Sequence, residues 1–339
     1  KDNPFTYTLT GLIFSCVFCI AVFITWYTTW EAKDVQQESD FKVDNQRSSG
    51  ILNHLKYLVL DLFSSFRIRA FRLHIIIYIF SFTAMDVFGS VFTYYVVYCL
   101  SQDAAAVSGW LSIAAFASVP GTYGFMLLLN RLNVTPSAAL RLSYGCIFCV
   151  LVFLFTVYLT ETQVPTLLFS AVFILLGAAR SGLYYIPWNI YSFIPDIDEM
   201  VTQQRREGIF AGVMVLTRKS TVAIAIMIIG LVLQESGFVK GSGAQPESAL
   251  GAIIGLMIFA TAALLAVSFF TTYKFKLTRE THKLLLKEIA RRKLGGDYRD
   301  CDARTRVIIK QLTGYEYDQV WGGDATRQTV GSAHLSPVK

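Results

Sequence analysis

Seven uninterrupted apolar stretches constrain this chain more than anything else in it. They run over residues 7–30, 73–100, 109–129, 142–159, 167–193, 209–233 and 249–272. Each is roughly 18–28 residues long, enough for a helix to cross about 30 Å of hydrocarbon with some tilt. In lipid every backbone N–H and C=O must be satisfied within the segment, so apolar runs of this length are helices. Composition agrees: 54% of the 339 residues are apolar and only 16% charged, where soluble domains carry about 25% charged residues. The fold class is therefore an all-α membrane protein with seven transmembrane helices. The first run has full span length and no small-residue cleavage site after it, so it reads as a span rather than a signal peptide.

The connections set the orientation. Segment 31–72 holds seven Lys and Arg, the turn 131–141 holds two and the turn 195–207 holds two. The turns 101–108 and 161–166 hold none, and 234–248 holds only Lys240. The bias alternates turn by turn, and the positive-inside rule places the basic side in the cytosol. The N-terminus is then outside and the C-terminus cytosolic. The net charge of +6 belongs to this asymmetry and points to membrane lipids, not to nucleic acid. The expected organisation is a first span over 1–30, a cytosolic connection over 31–72, a six-helix bundle over 73–272 and a cytosolic tail over 273–339. Within the connection, 51–66 is too short and too charged to span and reads as a surface amphipathic helix. In the tail, Thr278 is expected to cap a helix whose apolar stripe is Leu284, Leu285, Ile289 and Leu294. Its basic face suits anionic headgroups or a solvated surface. Beyond Gly295 the chain is polar, apart from an apolar patch over 307–312, and disorder is the expectation. Pro120-Gly121 and Pro187 are expected to kink or break their spans.

Six cysteines are present, and Cys16/Cys19 and Cys146/Cys149 have C-x-x-C spacing. Both pairs lie inside apolar runs, where cysteine is a small packing residue. No metal-ligand cluster, phosphate-binding loop or paired catalytic acids can be read, and the four histidines are scattered. The expectation is a protein that is not an enzyme and holds no cofactor.

Charges inside spans are costly and count as functional candidates. Asp86 lies mid-way along its span, with Thr83, Ser90 and Thr93 near the same helical face. It can line a polar cavity, binding a sugar hydroxyl or a proton, or pair with Arg180 or Lys219. Arg180 is flanked by small residues that permit close helix approach. Its planar fork suits a carboxylate, supplied by an acidic substrate or by Asp86. Tyr184, Tyr185 and Trp188 follow on the same helix, as stacking surfaces for sugar faces or as packing residues. Lys219 can pair with carboxylates and compete with a cation for them, as a cation-coupled carrier requires. Arg218 points to another face, where it can snorkel to the cytosol. Asp196, Asp198, Glu199, Arg205 and Arg206 lie in the turn between two spans, as an ordinary solvated loop or as a cytosolic gate held by ion pairs.

The segment PWNIYSFIPDIDEMVTQQRREGIFAGVMVLTRKS resembles the connection between two late spans of the glycoside–pentoside–hexuronide:cation symporters. These form the melibiose permease-like branch of the major facilitator superfamily. FRIRAFRLHIIIYIF, TYYVVYCL, QPESALGAI and YKFKLTRETHKLL are further matches, so that most of 5–295 is covered; the RREG…RK pattern is the most specific. The resemblance implies two six-helix bundles with the substrate site between them. This chain then supplies the C-terminal six-helix bundle plus one preceding span, and a missing N-terminal helical bundle supplies the cation-binding carboxylates. It further implies alternating-access symport of a glycoside or uronide with H⁺ or Na⁺ in the plasma membrane, a bacterial inner membrane. Lys219 matches the family's lysine near the cation and sugar sites, and Trp188 a residue one span earlier. Asp86 stands where many members carry a neutral polar residue, and Arg180 has no counterpart. A seven-span receptor and a lipid-transporting relative of the same superfamily are the alternatives.

Overall fold

The structure, a computed structural model, describes residues 4–29, 62–160 and 165–321. The chain divides into two units, Lys1–Leu58 and Val59–Lys339. Of the first, helix α1 (Pro4–Thr28) is described. It is apolar on all sides, as a membrane span is. Most of the surface helix expected over 51–66 lies outside the described residues; only its end, 62–65, forms a helical turn.

The second unit contains six more span-length helices: α2 (Arg69–Cys99), α3 (Ala104–Asn130), α4 (Pro136–Thr160), α5 (Thr166–Tyr191), α7 (Glu207–Glu235) and α8 (Glu247–Lys274). Seven helices among the described residues are thus long and apolar enough to cross a membrane, and no strand occurs among those residues. The prolines do not break their helices. Pro120 lies inside α3 and Pro187 inside α5, and both helices run on through them. A bundle tolerates this because neighbouring helices accommodate the freed backbone carbonyl.

Helix α2 is the hub. Sixty-one per cent of its span is buried, against 11% for α3 and 11% for α7, which are edge helices. On its core side, Ser81 Oγ lies 2.8 Å from the Tyr144 hydroxyl and donates to Ser268 Oγ at 3.2 Å, so one hydroxyl cluster ties α2 to α4 and α8. Tyr95, in a π-helical turn at the end of α2, donates to the Leu154 carbonyl at 2.6 Å. Helices α3 and α5 pack backbone to backbone, as the small residues around Gly177 imply. A Cβ on Gly177 would lie 2.0 Å from the Ala114 carbonyl oxygen, and one on Gly121 would lie 2.6 Å from Ala178 Cα.

At the basic end of the bundle the turn 195–207 is only partly a solvated loop: residues 203–206 are non-helical and 203–205 exposed, but its first part is not. It begins with a short helix, α6 (Ile194–Thr202), and all nine residues are buried. The tail covers it. Helix α9 (Arg279–Lys293) starts with a capping box in which Thr278 and Thr281 exchange hydrogen bonds. It buries Leu285, Glu288 and Ile289, whereas Leu294, expected in its apolar stripe, is exposed. The expectation of disorder beyond Gly295 is overturned as far as residue 321. Helix α10 (Ala303–Thr313) buries Ile308, Ile309 and Leu312, which are the apolar patch seen in the sequence. The Trp321 amide then donates to the Met200 carbonyl of α6 at 3.1 Å. Burial works to raise the Glu288 pKa, but hydrogen bonds from Arg291 and Tyr317 outweigh it and hold the carboxyl below its ordinary range. The same contacts push the Tyr317 hydroxyl up, burial being the largest cause.

Two outcomes follow. Gly177→Ala places a methyl group against backbone that cannot rotate away, and over-packing of this kind costs about 1–3 kcal/mol or more; the thermal midpoint in detergent should fall. Glu288 is depressed in the folded tail, so its contribution is complete above the ordinary glutamate value of 4.5 and lost as pH falls through the lower folded value. Amide-exchange protection of 279–321 should therefore drop on acidification, and Glu288→Gln should flatten that dependence.

Candidate functional site

The side of α2 opposite the hydroxyl cluster carries the polar stripe. Thr83 and Asp86 are half-buried, and Ser90 and Thr93 are exposed, so the four share one face as their spacing requires. Asp86 pairs with neither Arg180 nor Lys219. Its partner is Arg218 of α7, whose Nη1 and Nη2 donate to Oδ2 at 2.5 Å and Oδ1 at 2.8 Å. This is the two-point fork that guanidinium and carboxylate geometry favours. Arg218 therefore does not snorkel away. The two side chains are 20% and 21% exposed, placing the pair in the wall of the bundle rather than its core.

An aromatic row runs from this pair. The Arg218 guanidinium lies 5.2 Å from the centre of the Phe82 ring. Phe82 meets Tyr184 of α5 edge to face at 4.7 Å, and Tyr78 lies 4.5 Å from Phe82. Tyr78 in turn meets Trp188 at 5.9 Å. Tyr78 and Phe82 are spaced i, i+4 on α2, as are Tyr184 and Trp188 on α5, so the two pairs face each other across the helix contact. Trp188 remains 44% exposed and offers a ring face.

Arg180 stands at the far side of Tyr184. It donates to the Tyr184 hydroxyl at 3.0 Å, and its guanidinium lies 5.1 Å from that ring. It faces a recess of about 430 Å³ between α3 and α5, lined by the hydroxyls of Ser118, Thr122 and Ser181. Tyr185, the other candidate ring, is half-buried. Lys219 is exposed and makes no ion pair among the described residues. It shares its side of α7 with exposed apolar side chains such as Val215 and Leu216.

Asp196, Asp198, Glu199, Arg205 and Arg206 are brought together, and they are joined by tail residues that the sequence did not single out. Asp196 takes His282 Nε2 at 2.7 Å and Arg205 at 3.4 Å. The His282 ring also stacks on Phe193 at 4.1 Å. Asp198 is gripped at two points by Arg206, at 2.8 and 2.7 Å, and Arg206 also donates to Ser64 at 2.9 Å. Glu199 pairs with Lys293 at 2.5 Å. Arg205 also holds Glu207 at 2.6 Å. Its guanidinium pKa is raised, because these carboxylates outweigh the desolvation that works against the charge.

The chain matches the MFS/sugar transport protein family over residues 2–279. It belongs to that family. This member is also 29% identical over 271 residues to an uncharacterized symporter of Synechocystis sp., an alignment covering 74% of the present chain. It spans 46%, about half, of that curated relative's length. Family and helices together make it a multi-pass membrane protein of a transport family. Against that background the sequence reading missed Arg218, Tyr78 and Phe82. The available signal was the i, i+4, i+8 line Tyr78–Phe82–Asp86, which places two rings and a carboxylate in succession along one helix.

Removing one member of the Asp86–Arg218 pair leaves a charge without its partner, which costs about 3–5 kcal/mol in a fully buried site and less at this partial exposure. Asp86→Asn and Arg218→Gln should each lower the thermal midpoint in detergent. The double substitution should lower it by less than the sum, since it strands no charge.

Proposed function

We propose that this chain is the C-terminal portion of a secondary symporter of the melibiose permease-like branch, moving a glycoside or sugar acid together with H⁺ or Na⁺. The observation that carries the reading is the Asp86–Arg218 pair at the end of an aromatic row that is buried at Phe82 and comes to the surface at Tyr184 and Trp188, with Arg180 and its hydroxyl-lined recess beside Tyr184. Its exposed end offers what a sugar needs: rings for its apolar face, and charged and hydroxyl groups for its rim. Binding would be centred on Asp86, Arg180, Tyr184 and Trp188, with Asp86 and Lys219 in cation coupling.

Lys219 supports a second bundle. A lysine among exposed apolar side chains in the membrane needs a carboxylate or a route to water, and none of the described residues provides the former. An N-terminal bundle docked on the edge helices α3 and α7 would supply it, with the substrate between the two halves. The basic end would be cytosolic, and Asp196, Asp198, Glu199, Arg205 and Arg206 would hold the cytosolic gate in one conformation. A lipid-transporting reading is favoured by one feature, an apolar groove of about 420 Å³ between α2, α7 and α8 that includes Ile79, Ile228 and Leu264.

The intact transporter in proteoliposomes tests this. Labelled glycosides, uronides and a lysolipid would be offered under imposed H⁺ and Na⁺ gradients. Gradient-driven accumulation of a sugar is expected, and accumulation of the lysolipid alone would select the lipid reading. Lys219→Ala should abolish accumulation while leaving substrate exchange, and wild-type accumulation in that variant would remove Lys219 from coupling.

A further inference from the structure

The Asp86–Arg218 pair has a feature that a purely structural bridge does not need. The guanidinium is held from two directions: by the carboxylate at 2.5 and 2.8 Å, and by the Phe82 ring 5.2 Å away. If the carboxylate lets go, Arg218 keeps its aromatic seat and its planar fork. Both members are about one-fifth exposed, so neither is sealed inside the bundle.

We propose that Asp86 occupies Arg218 as an internal stand-in for the carboxylate of an anionic substrate, and that protonation of Asp86 releases Arg218 to bind that substrate. The inference rests on the sugar-transport reading and narrows it to proton coupling and to sugar acids. A proton from cavity water adds to an Asp86 carboxylate oxygen, and the ionic fork to Arg218 opens. The two guanidinium N–H groups then donate to the two oxygens of the substrate carboxylate. One proton and one monoanion enter together, so the pair and its cargo carry the same net charge before and after.

Substrate placement follows from the aromatic row. Phe82 and Tyr184 meet at 4.7 Å, with Arg218 over one ring and Arg180 5.1 Å from the other. Phe82 is buried, so a sugar acid rests on the exposed end of the row at Tyr184 and Trp188, its carboxylate turned to the released Arg218 and its ring hydroxyls to Arg180, Ser118 and Thr122. The titratable groups facing the pair are Tyr78 on the same helix as Asp86 and Tyr184 on α5. Arg180 lies beyond Tyr184, and Lys219, next to Arg218 in the chain, is exposed on α7. The local charge is thus positive once Asp86 is neutralised, which repels a metal cation and attracts an anion. A proton suits this site better than Na⁺, because it removes a negative charge without requiring a shell of oxygen ligands.

Binding of methyl β-D-glucuronide and of the uncharged methyl β-D-glucoside to the intact transporter, measured by calorimetry between about pH 8 and about pH 5.5, tests the proposal. The glucuronide stays ionised throughout. Its affinity should rise on acidification by up to about tenfold per pH unit, the slope for one proton taken up per anion bound, while that of the glucoside stays level. Asp86→Asn, which mimics the protonated acid, should bind the glucuronide tightly at every pH, and Arg218→Gln should lose the preference for it. The thermal midpoint of the Asp86→Asn/Arg218→Gln variant reports on folding, and the wild-type pH profile decides the matter even if a single variant fails to fold. Glucoside and glucuronide bound equally, with no pH effect, would overturn the proposal and leave sugar transport standing. Binding of neither would overturn both.

Discussion

A charge placed among apolar helices must find an opposite charge, water or a ring face, and much of this bundle can be read from how each one does so. Helix α2 separates two solutions. Its core side is tied to α4 and α8 by uncharged hydroxyls, Ser81 with Tyr144 and Ser268, and Ser268 also donates to the Ile77 carbonyl. Its other side carries Asp86, and that single carboxylate fixes α7 against the hub through Arg218. The hydroxyl cluster and the ion pair therefore lie on opposite faces of one helix. A change at the pair can alter the wall of the site without disturbing the core hydroxyls.

The basic end solves the same problem by enclosure. Three carboxylates of α6 are buried, which would be prohibitive if each were alone. Each instead meets a basic side chain from elsewhere in the chain: His282 and Lys293 from the tail, Arg205 and Arg206 from the turn before α7. Arg206 also reaches Ser64 ahead of α2. The tail is therefore part of the bundle's architecture. Its order reflects an obligation to neutralise α6 as well as the apolar contacts of Ile309 and Leu312.

The span pattern was legible because lipid imposes a length and a composition that no soluble helix needs. A close helix approach at α5 was legible too, from Gly177 and its small neighbours, although not that α3 is the helix that makes it. The ordering of the tail was not. Residues 295–321 look polar in sequence because the few apolar side chains that order them, Ile308, Ile309 and Leu312, pack against α2 and α6, about a hundred or more residues earlier, and no local pattern reports that packing. The candidate site was legible in part: the Thr83–Asp86–Ser90–Thr93 face followed from periodicity, and Tyr184, Tyr185 and Trp188 were visible as rings following Arg180 on one helix. The identity of Asp86's partner was not, because choosing among Arg180, Arg218 and Lys219 requires the rotation of α5 and α7 about their own axes.

That rotation gives the two adjacent cations of α7 different roles. Successive residues on a helix point about 100° apart, so Arg218 and Lys219 cannot both face Asp86. The residue that does is the one with a planar fork, and it forms a two-point bond within the bundle. The residue that does not is a flexible point charge left on an exposed apolar face. A guanidinium fork suits a carboxylate met at two points, whereas an ammonium is a compact point charge. Under the proposed function, that division would leave Arg218 to a carboxylate with two-point geometry, Asp86 or a bound substrate, and Lys219 to the other half of the carrier.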